Sequence, residues 1–258
     1  MRQATAAAIE LKSGPEIEAI RRAGKAVSCV LAKVAAAVRP GVKTSELETV
    51  ARDQSKSHGV KPAFLGYRGY PAALCVSVNA EVVHGIPSAL RALAEGDIVS
   101  LDYGCVLEGF YADAAVTLGV GRIAAQAQKL LDVTRVSLER AIAAMRTDAR
   151  LGDVSSAVQD YVEEQGFSIV LDFSGHGIGR ALHEAPSVPN YGTAGTGTRL
   201  SPGLVLALEP MVSAGTGRTE VLADGWTAVT RDGSLAAHFE HTVALTESGP
   251  DILTEGHG

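Results

Sequence analysis

The sequence is short of the features that mark secreted, membrane-spanning or nucleic-acid-binding chains. Its three cysteines, Cys29, Cys75 and Cys105, are far apart and form no Cys-x-x-Cys pair. That spacing supports neither a disulfide framework nor a thiolate zinc knot, and it fits a reducing compartment. Basic charge is not in surplus: 23 Lys and Arg stand against 29 Asp and Glu, a formal net charge of -6. Nucleic acid, DNA included, and anionic lipid are therefore poor candidates as partners. The opening stretch Met1 to Ile9 meets Glu10 and Lys12 before an apolar core of signal length develops. The first helical pattern is broken by Lys25 and Lys33, short of the roughly 18 uninterrupted apolar residues of a membrane span. A soluble cytoplasmic chain is expected. No Pro- or Ser-rich linker divides it, so residues 1–258 are expected to form a single domain. His-Glu-x-x-His, Gly-x-Ser-x-Gly and Gly-Lys-Ser/Thr are also missing, so zincin, serine-hydrolase and P-loop chemistry have no support.

What is present is a duplication. The apolar run Leu204 to Leu208 follows Gly203 and ends in Glu209; 107 residues upstream, Ile98 to Leu101 follows Gly96 and ends in Asp102. The same offset aligns the segment Arg39 to Leu47 with Arg146 to Val154, and Gly59 with Gly166. Two pseudo-symmetric halves, about 13–120 and 121–250, would bring equivalent strand ends together around a two-fold axis. Those ends carry acids, which repel unless a cation lies between them. A central metal site is the expectation.

Each half opens with helices. Ser13, Pro15 and Glu16 form a capping box ahead of Ile17, Ile20, Val27, Leu31, Val34 and Val38 at helical spacing, and Pro40-Gly41 closes that helix. A second helix is expected from Ser45, with Glu48 three residues on, to Gly59, and its echo from Asp153 to Gly166. A long helix from about Ala124 to Met145 precedes the echo. Strands follow at 74–78, 98–103 and 110–118, and again at 168–172, 204–212 and 239–245. Helices grouped before strands indicate an α+β layer with antiparallel pairing.

Glu108-Gly109 is a two-residue hairpin turn that sets Gly104 opposite Asp113. Asp102 and Asp113 then share one face as diagonal neighbours, roughly 7 to 8 Å apart, near enough to chelate jointly. Glu209 ends its apolar strand before Pro210, and Glu240 lies among apolar strand residues. A buried carboxylate must be protonated, paired or ligating; few bases lie nearby in sequence, though a salt bridge through the fold stays open. His176, between Gly175 and Gly177, is open to an ion or a substrate. Four acids and one imidazole make an oxygen-rich site suited to two divalent ions such as manganese, iron, cobalt or zinc. His183-Glu-Ala-Pro186 resembles His84-Gly-Ile-Pro87, which places two imidazoles on opposite sides of one cleft, where they can donate protons and orient a carbonyl. For His58, His238 and His257 a hydrogen-bonded structural role is expected; His241 stays open.

Taken together, His84-Gly-Ile-Pro, Leu101-Asp-Tyr-Gly, Asp113, Gly175-His-Gly-Ile-Gly with His183, Glu209-Pro-Met and Phe239-Glu-His-Thr resemble the methionine aminopeptidases from about Pro15 to Thr254. The resemblance implies the pita-bread (creatinase/aminopeptidase) fold, with two halves around a dinuclear centre. It implies removal of N-terminal methionine from peptides and nascent chains near the ribosome, with a small second residue preferred. By motif, Asp102 would chelate one metal, His176 would hold the other, Asp113 and Glu240 would bridge both, and Glu209 would ligate and shuttle protons. A bridging water would attack the scissile carbonyl carbon. His183 would stabilise the oxyanion, and His84 would contact the scissile nitrogen. Phe64, Tyr67, Tyr70, Cys75, Leu182 and Trp226 would form the methionine slot, with Leu182 where the family often has an aromatic. Read by themselves, Tyr67, Tyr70 and Trp226 could be ordinary loop or core aromatics. Glu209 and Glu240 are only 31 residues apart, and little sequence precedes the first helix, as in a short type I enzyme acting as a monomer. Two alternatives stand beside this reading. One is an Xaa-Pro aminopeptidase or prolidase using the same ligands, and the other is a non-catalytic binding protein on the same fold.

Overall fold

The computed structural model describes residues 8–256; His257 lies outside the described residues, as do residues 1–7. The first half runs α1 (Gly14–Ala37), α2 (Thr44–Ser57), β1 (Lys61–Pro62), β2 (Cys75–Val78), β3 (Glu81–Val83), β4 (Ile98–Leu107) and β5 (Phe110–Gly119). The second opens with α3 (Ala125–Ala144), α4 (Leu151–Glu164), β6 (Ser168–Ile169), β7 (Ser174–Gly177), β8 (Glu184–Pro189) and β9 (Val205–Leu208). It continues with β10 (Met211–Ser213), β11 (Thr219–Val221), β12 (Ala228–Thr230), β13 (Ala236–His238), β14 (Glu240–Thr246) and β15 (Gly249–Ile252).

A nine-stranded sheet forms the centre. Its path is β1-β4-β5-β14-β9-β7-β8, with β2 on β4 and β15 on β14, and two three-stranded sheets, β13-β10-β6 and β11-β12-β3, flank it. The pairings are antiparallel. The duplication is visible in the geometry: α2 and α4, β1 and β6, and the isolated bridges Lys43 to Ala92 and Arg150 to Arg199 recur at the same offset. Gly96 and Gly203 even share a φ of 93°.

The β4–β5 hairpin follows the sequence register, with Leu107 opposite Phe110 and Gly104 opposite Asp113. Glu108 and Gly109 both have positive φ, 52° and 83°, as a type I′ turn demands. Leu101, Tyr103 and Cys105 on β4, and Ala112, Ala114 and Val116 on β5, pack in one core with Ile20, Val27 and Leu31 of α1. Strand side chains alternate, so the intervening Asp102 and Asp113 face away from that helix.

Both short helices start earlier than the sequence suggests. The Lys43 N–H donates to Glu46 Oε1 at 2.9 Å, and the Arg150 N–H to Asp153 Oδ2 at 2.7 Å. These are the reciprocal half of a capping box. Glu48 is not a cap: its carboxylate accepts the N–H groups of Ala73 and Leu74, each at 2.9 Å. The long strand expected at 204–212 breaks where it carries its acid, whereas the one expected at 239–245 forms as β14 and begins at Glu240. Pro210 has no N–H to continue the ladder, and the chain leaves the central sheet at Glu209 to pair as β10 with β13. The expected strand 168–172 is only two residues long, because Asp172 turns to accept the Thr219 N–H and hydroxyl.

Candidate active site

Register alone gathers the acids. Asp102 lies opposite Ala115, and Ala115 opposite Glu240; His176 lies opposite Ala207, and Ala207 opposite Thr242. Counting by alternate residues from this row puts Asp102, Asp113, His176, Glu209 and Glu240 on one face of the sheet. Gly104 keeps the row accessible: a Cβ there would stand 3.0 Å from Phe64 and 3.1 Å from the Asp113 Cβ.

Asp113, His176 and Glu240 are buried, and each offers a ligand atom within 4.8 Å of the others. Glu209 Oε1 is 3.4 Å from His176 Nε2, and Asp113 Oδ2 is 3.7 Å from it. The other ring nitrogen, Nδ1, lies 2.9 Å from the Gly177 carbonyl oxygen. A proton on Nδ1 donated to that carbonyl leaves the Nε2 lone pair facing the acids.

Burial pushes the Asp102, Glu209 and Glu240 carboxyls well above the usual carboxylate range, and the charge of Asp113 pushes each further. Burial raises Asp113 to about 6, opposed by His183 and by a hydrogen bond to Glu240. Burial holds His176 down to about 4, so it is neutral near pH 7. Among the described residues, no lysine or arginine forms an ion pair with these acids; Asp113, Glu209 and Glu240 instead have the neutral imidazoles of His176 and His238 within 4 Å. Asp102 Oδ1 is buried without any hydrogen bond. Four crowded carboxyls, an orphaned oxygen and an imidazole lone pair aimed inward fit divalent cations, which would replace the protons the acids otherwise hold.

Beside the acids one cavity opens, lined by Phe64, Tyr67, Tyr70, Cys75, Leu182 and Trp226 together with His84 and His183. The thirteen residues singled out from the sequence all lie along it. Tyr70 meets Trp226 edge-on at 5.1 Å, and the Tyr70 hydroxyl donates to the Gly85 carbonyl at 2.9 Å. Burial pushes the Cys75 thiol up, so it serves as apolar wall rather than nucleophile. His84 has a φ of 62°, a left-handed conformation rare outside glycine, and is flanked by the rings of Phe173 and Trp226. Such strain is tolerated where the side chain must point in one direction. His183 stacks on Tyr67 with ring centres 5.3 Å apart, and its Nδ1 lies 3.0 Å from the Tyr67 hydroxyl.

Two cavity neighbours escape the sequence reading. Arg68, with a φ of 49°, lines the cavity and lies over the Tyr67 ring. His238, expected to be hydrogen-bonded structure, instead directs a buried, unpartnered Nε2 towards Glu209 Oε2 at 3.8 Å and Glu240 Oε2 at 3.9 Å. Its position two residues before Glu240 was the available signal, since alternate strand residues share a face. His241 points the other way, with Nδ1 3.0 Å from the Thr254 hydroxyl. His58 caps α2 at an exposed position.

The profile of Metallopeptidase family M24 matches residues 18–247. A methionine aminopeptidase of Clostridium perfringens is 50% identical over 246 residues, covering 95% of this chain and 98% of the relative. The crystal structure of a methionine aminopeptidase from Thermotoga maritima superposes with a TM-score of 0.95 at 51% identity, covering 96% of this chain and 99% of that one. A prolidase from Pyrococcus furiosus shares the fold at a TM-score of 0.78 and 21% identity, covering 95% of this chain and 65% of the prolidase.

Proposed function

The chain belongs to metallopeptidase family M24, and on that premise we propose that it removes the N-terminal methionine from peptides and nascent proteins. The observation that carries this reading is one cavity whose apolar, aromatic-edged wall continues directly into a buried carboxylate and imidazole cluster. Asp102, Asp113, His176, Glu209 and Glu240 would hold two divalent cations. When bound, such ions supply Lewis-acid polarisation of the scissile carbonyl and acidify a water for attack.

The remaining work falls to the protein. Phe64, Tyr70, Cys75, Leu182 and Trp226 receive the methionine side chain and exclude water from it. Burial lowers the proton affinity of His84, so its neutral imidazole can hydrogen-bond the scissile nitrogen without bringing a competing charge. With the Tyr67 hydroxyl donating to His183 Nδ1, the Nε2 proton of His183 is free to donate to the carbonyl oxygen as charge develops there. The Glu209 carboxyl lines the cavity beside His176, where it is placed to accept a proton and pass it to the departing amine. The rings of Phe173 and Trp226 crowd His84, which favours a small second residue. All these groups come from one polypeptide, which supports action as a monomer. Nascent chains near the ribosome, in the cytoplasm, are the natural source of such N-termini. No helix among the described residues is long and apolar enough to cross a membrane.

The test is peptide cleavage with a metal assay alongside. Metal-loaded protein is expected to release methionine from Met-Ala-Ser and to leave Xaa-Pro dipeptides intact; preference for the proline substrates would overturn the assignment. A second expectation concerns the wall of the slot, where Leu182 is buried. Leu182→Phe should sharpen the preference for methionine over smaller or branched first residues by about 1 to 3 kcal/mol in relative kcat/KM. Unchanged selectivity would remove Leu182 from the slot.

A further inference from the structure

Lys12 lies in the segment ahead of α1, yet its side chain is fully buried, at 0% exposure. Lysine is almost never buried so completely unless paired. Here the ammonium donates to Glu184 Oε2 at 2.8 Å and to the Glu10 carbonyl at 3.1 Å. Glu184 immediately follows His183. Its second oxygen, Oε1, accepts the N–H groups of Arg180 at 2.6 Å and Ala181 at 2.9 Å, so this one carboxylate closes the turn that carries Leu182 and His183 into the cavity.

The lysine is itself fixed from behind. Its backbone N–H donates to the Gly203 carbonyl at 2.6 Å, and the Gly203 N–H donates to Leu245 of β14 at 2.8 Å. The contact needs the bare backbone of Gly179, because a Cβ there would stand 2.4 Å from Lys12 Cε. Arg180, at the outer end of the turn, reaches back to Glu10 and Glu16. Those exposed pairs add little, whereas the buried one is sensitive to loss of either partner. A buried ion pair is a poor device for stability alone, since an apolar pair of similar volume usually does as well. It does impose one geometry, and the geometry imposed here is that of the His183 turn.

We propose that Lys12 is a positioning residue for His183, acting through Glu184: the segment before α1 is a strap that ties the His183 turn to the central sheet and holds the imidazole against the Tyr67 hydroxyl. The inference rests on the reading of His183 as the group that contacts the substrate carbonyl. Lys12→Met keeps the stem and removes the charge. In the metal-loaded full-length protein it should lower kcat on Met-Ala-Ser by about ten- to a hundred-fold, the scale of a misplaced catalytic group, with metal content unchanged. The same substitution in a His183→Ala background should cost nothing further, because the group it positions is gone. Gly179→Ala, which displaces the lysine stem and keeps both charges, should act in the same direction as Lys12→Met. In metal-free protein the His183 ring resonance should shift or broaden in both variants. Wild-type kcat in folded Lys12→Met, or an equal loss with and without His183, would overturn the strap. Undiminished kcat in His183→Ala would instead overturn the reading of His183. In that event an unmoved ring resonance in Lys12→Met rejects the strap, and a shifted one supports it.

Discussion

Stripping the protein with chelator at pH 7.5 should abolish peptide cleavage and lower the melting temperature by about 5 to 10 °C. A ligand present at about 100 times its Kd contributes about 2.7 kcal/mol, and in a chain of this size each kcal/mol moves Tm by about 2 to 4 °C. Glu240→Gln should reverse the stability effect. Without cations, burial and the charges of Asp113 and Glu209 hold the Glu240 carboxyl well above its ordinary value, so ionising it in the folded state is unfavourable. The neutral amide removes that penalty, so metal-free Glu240→Gln should melt above metal-free wild type, while the metal-loaded variant should lose both activity and the gain from cations. The sign of the pH dependence follows. Burial holds the imidazoles of His84, His176, His183 and His238 below their ordinary value, so above pH 7.5 they are neutral in folded and unfolded chains alike. The raised carboxyls keep protons in the folded state that the unfolded chain has released, so metal-free stability falls as pH rises through their folded values. Thermal melts with and without chelator, at several pH values, check all three. A Tm indifferent to chelator in both proteins would mean that the acids hold no cation.

His84→Ala should lower kcat by about 10² to 10⁴-fold, the range for loss of a positioned acid–base group, while metal content stays at the wild-type level. His84 is held between Phe173 and Trp226, outside the cluster formed by Asp113, His176 and Glu240. Its φ of 62° allows the effect to be divided. Asparagine tolerates that conformation far better than alanine does. If the loss came from the backbone, His84→Asn would restore turnover; if it came from the imidazole, His84→Asn should remain slow and merely fold better. Metal analysis beside steady-state kinetics separates these outcomes, and loss of bound metal in either variant would refute a role confined to the scissile nitrogen.

The parts of this fold that the sequence reveals are those decided locally. The β4–β5 hairpin is legible because a two-residue loop at Glu108-Gly109 sets the register of the flanking runs, and alternation then fixes Asp102 and Asp113 on one face. The start of α2 is not, because Ser45 with Glu48 and Lys43 with Glu46 satisfy the same capping pattern. The choice is made by the Ala73 and Leu74 N–H groups, which claim Glu48 from elsewhere in the chain. Alternation likewise cannot reveal that β9 and β10 belong to different sheets, since the pattern of apolar residues runs through the corner at Glu209 and Pro210. His238 was legible by parity with Glu240. Arg68 was not, because a loop residue with positive φ has no periodicity to read.

The seam between the halves has a consequence of its own. Strands β5 and β14 pair only through Ala115 with Glu240 and Ala114 with His241, yet two of the proposed ligands come from one side of this short join and three from the other. A nick in the connector between Gly119 and Ala125 would leave two fragments, neither with a complete coordination set. Their reassembly would restore the β3–β12 pairing and the shared apolar core as well as the ligand set, so divalent ions would tighten an association that those contacts already favour.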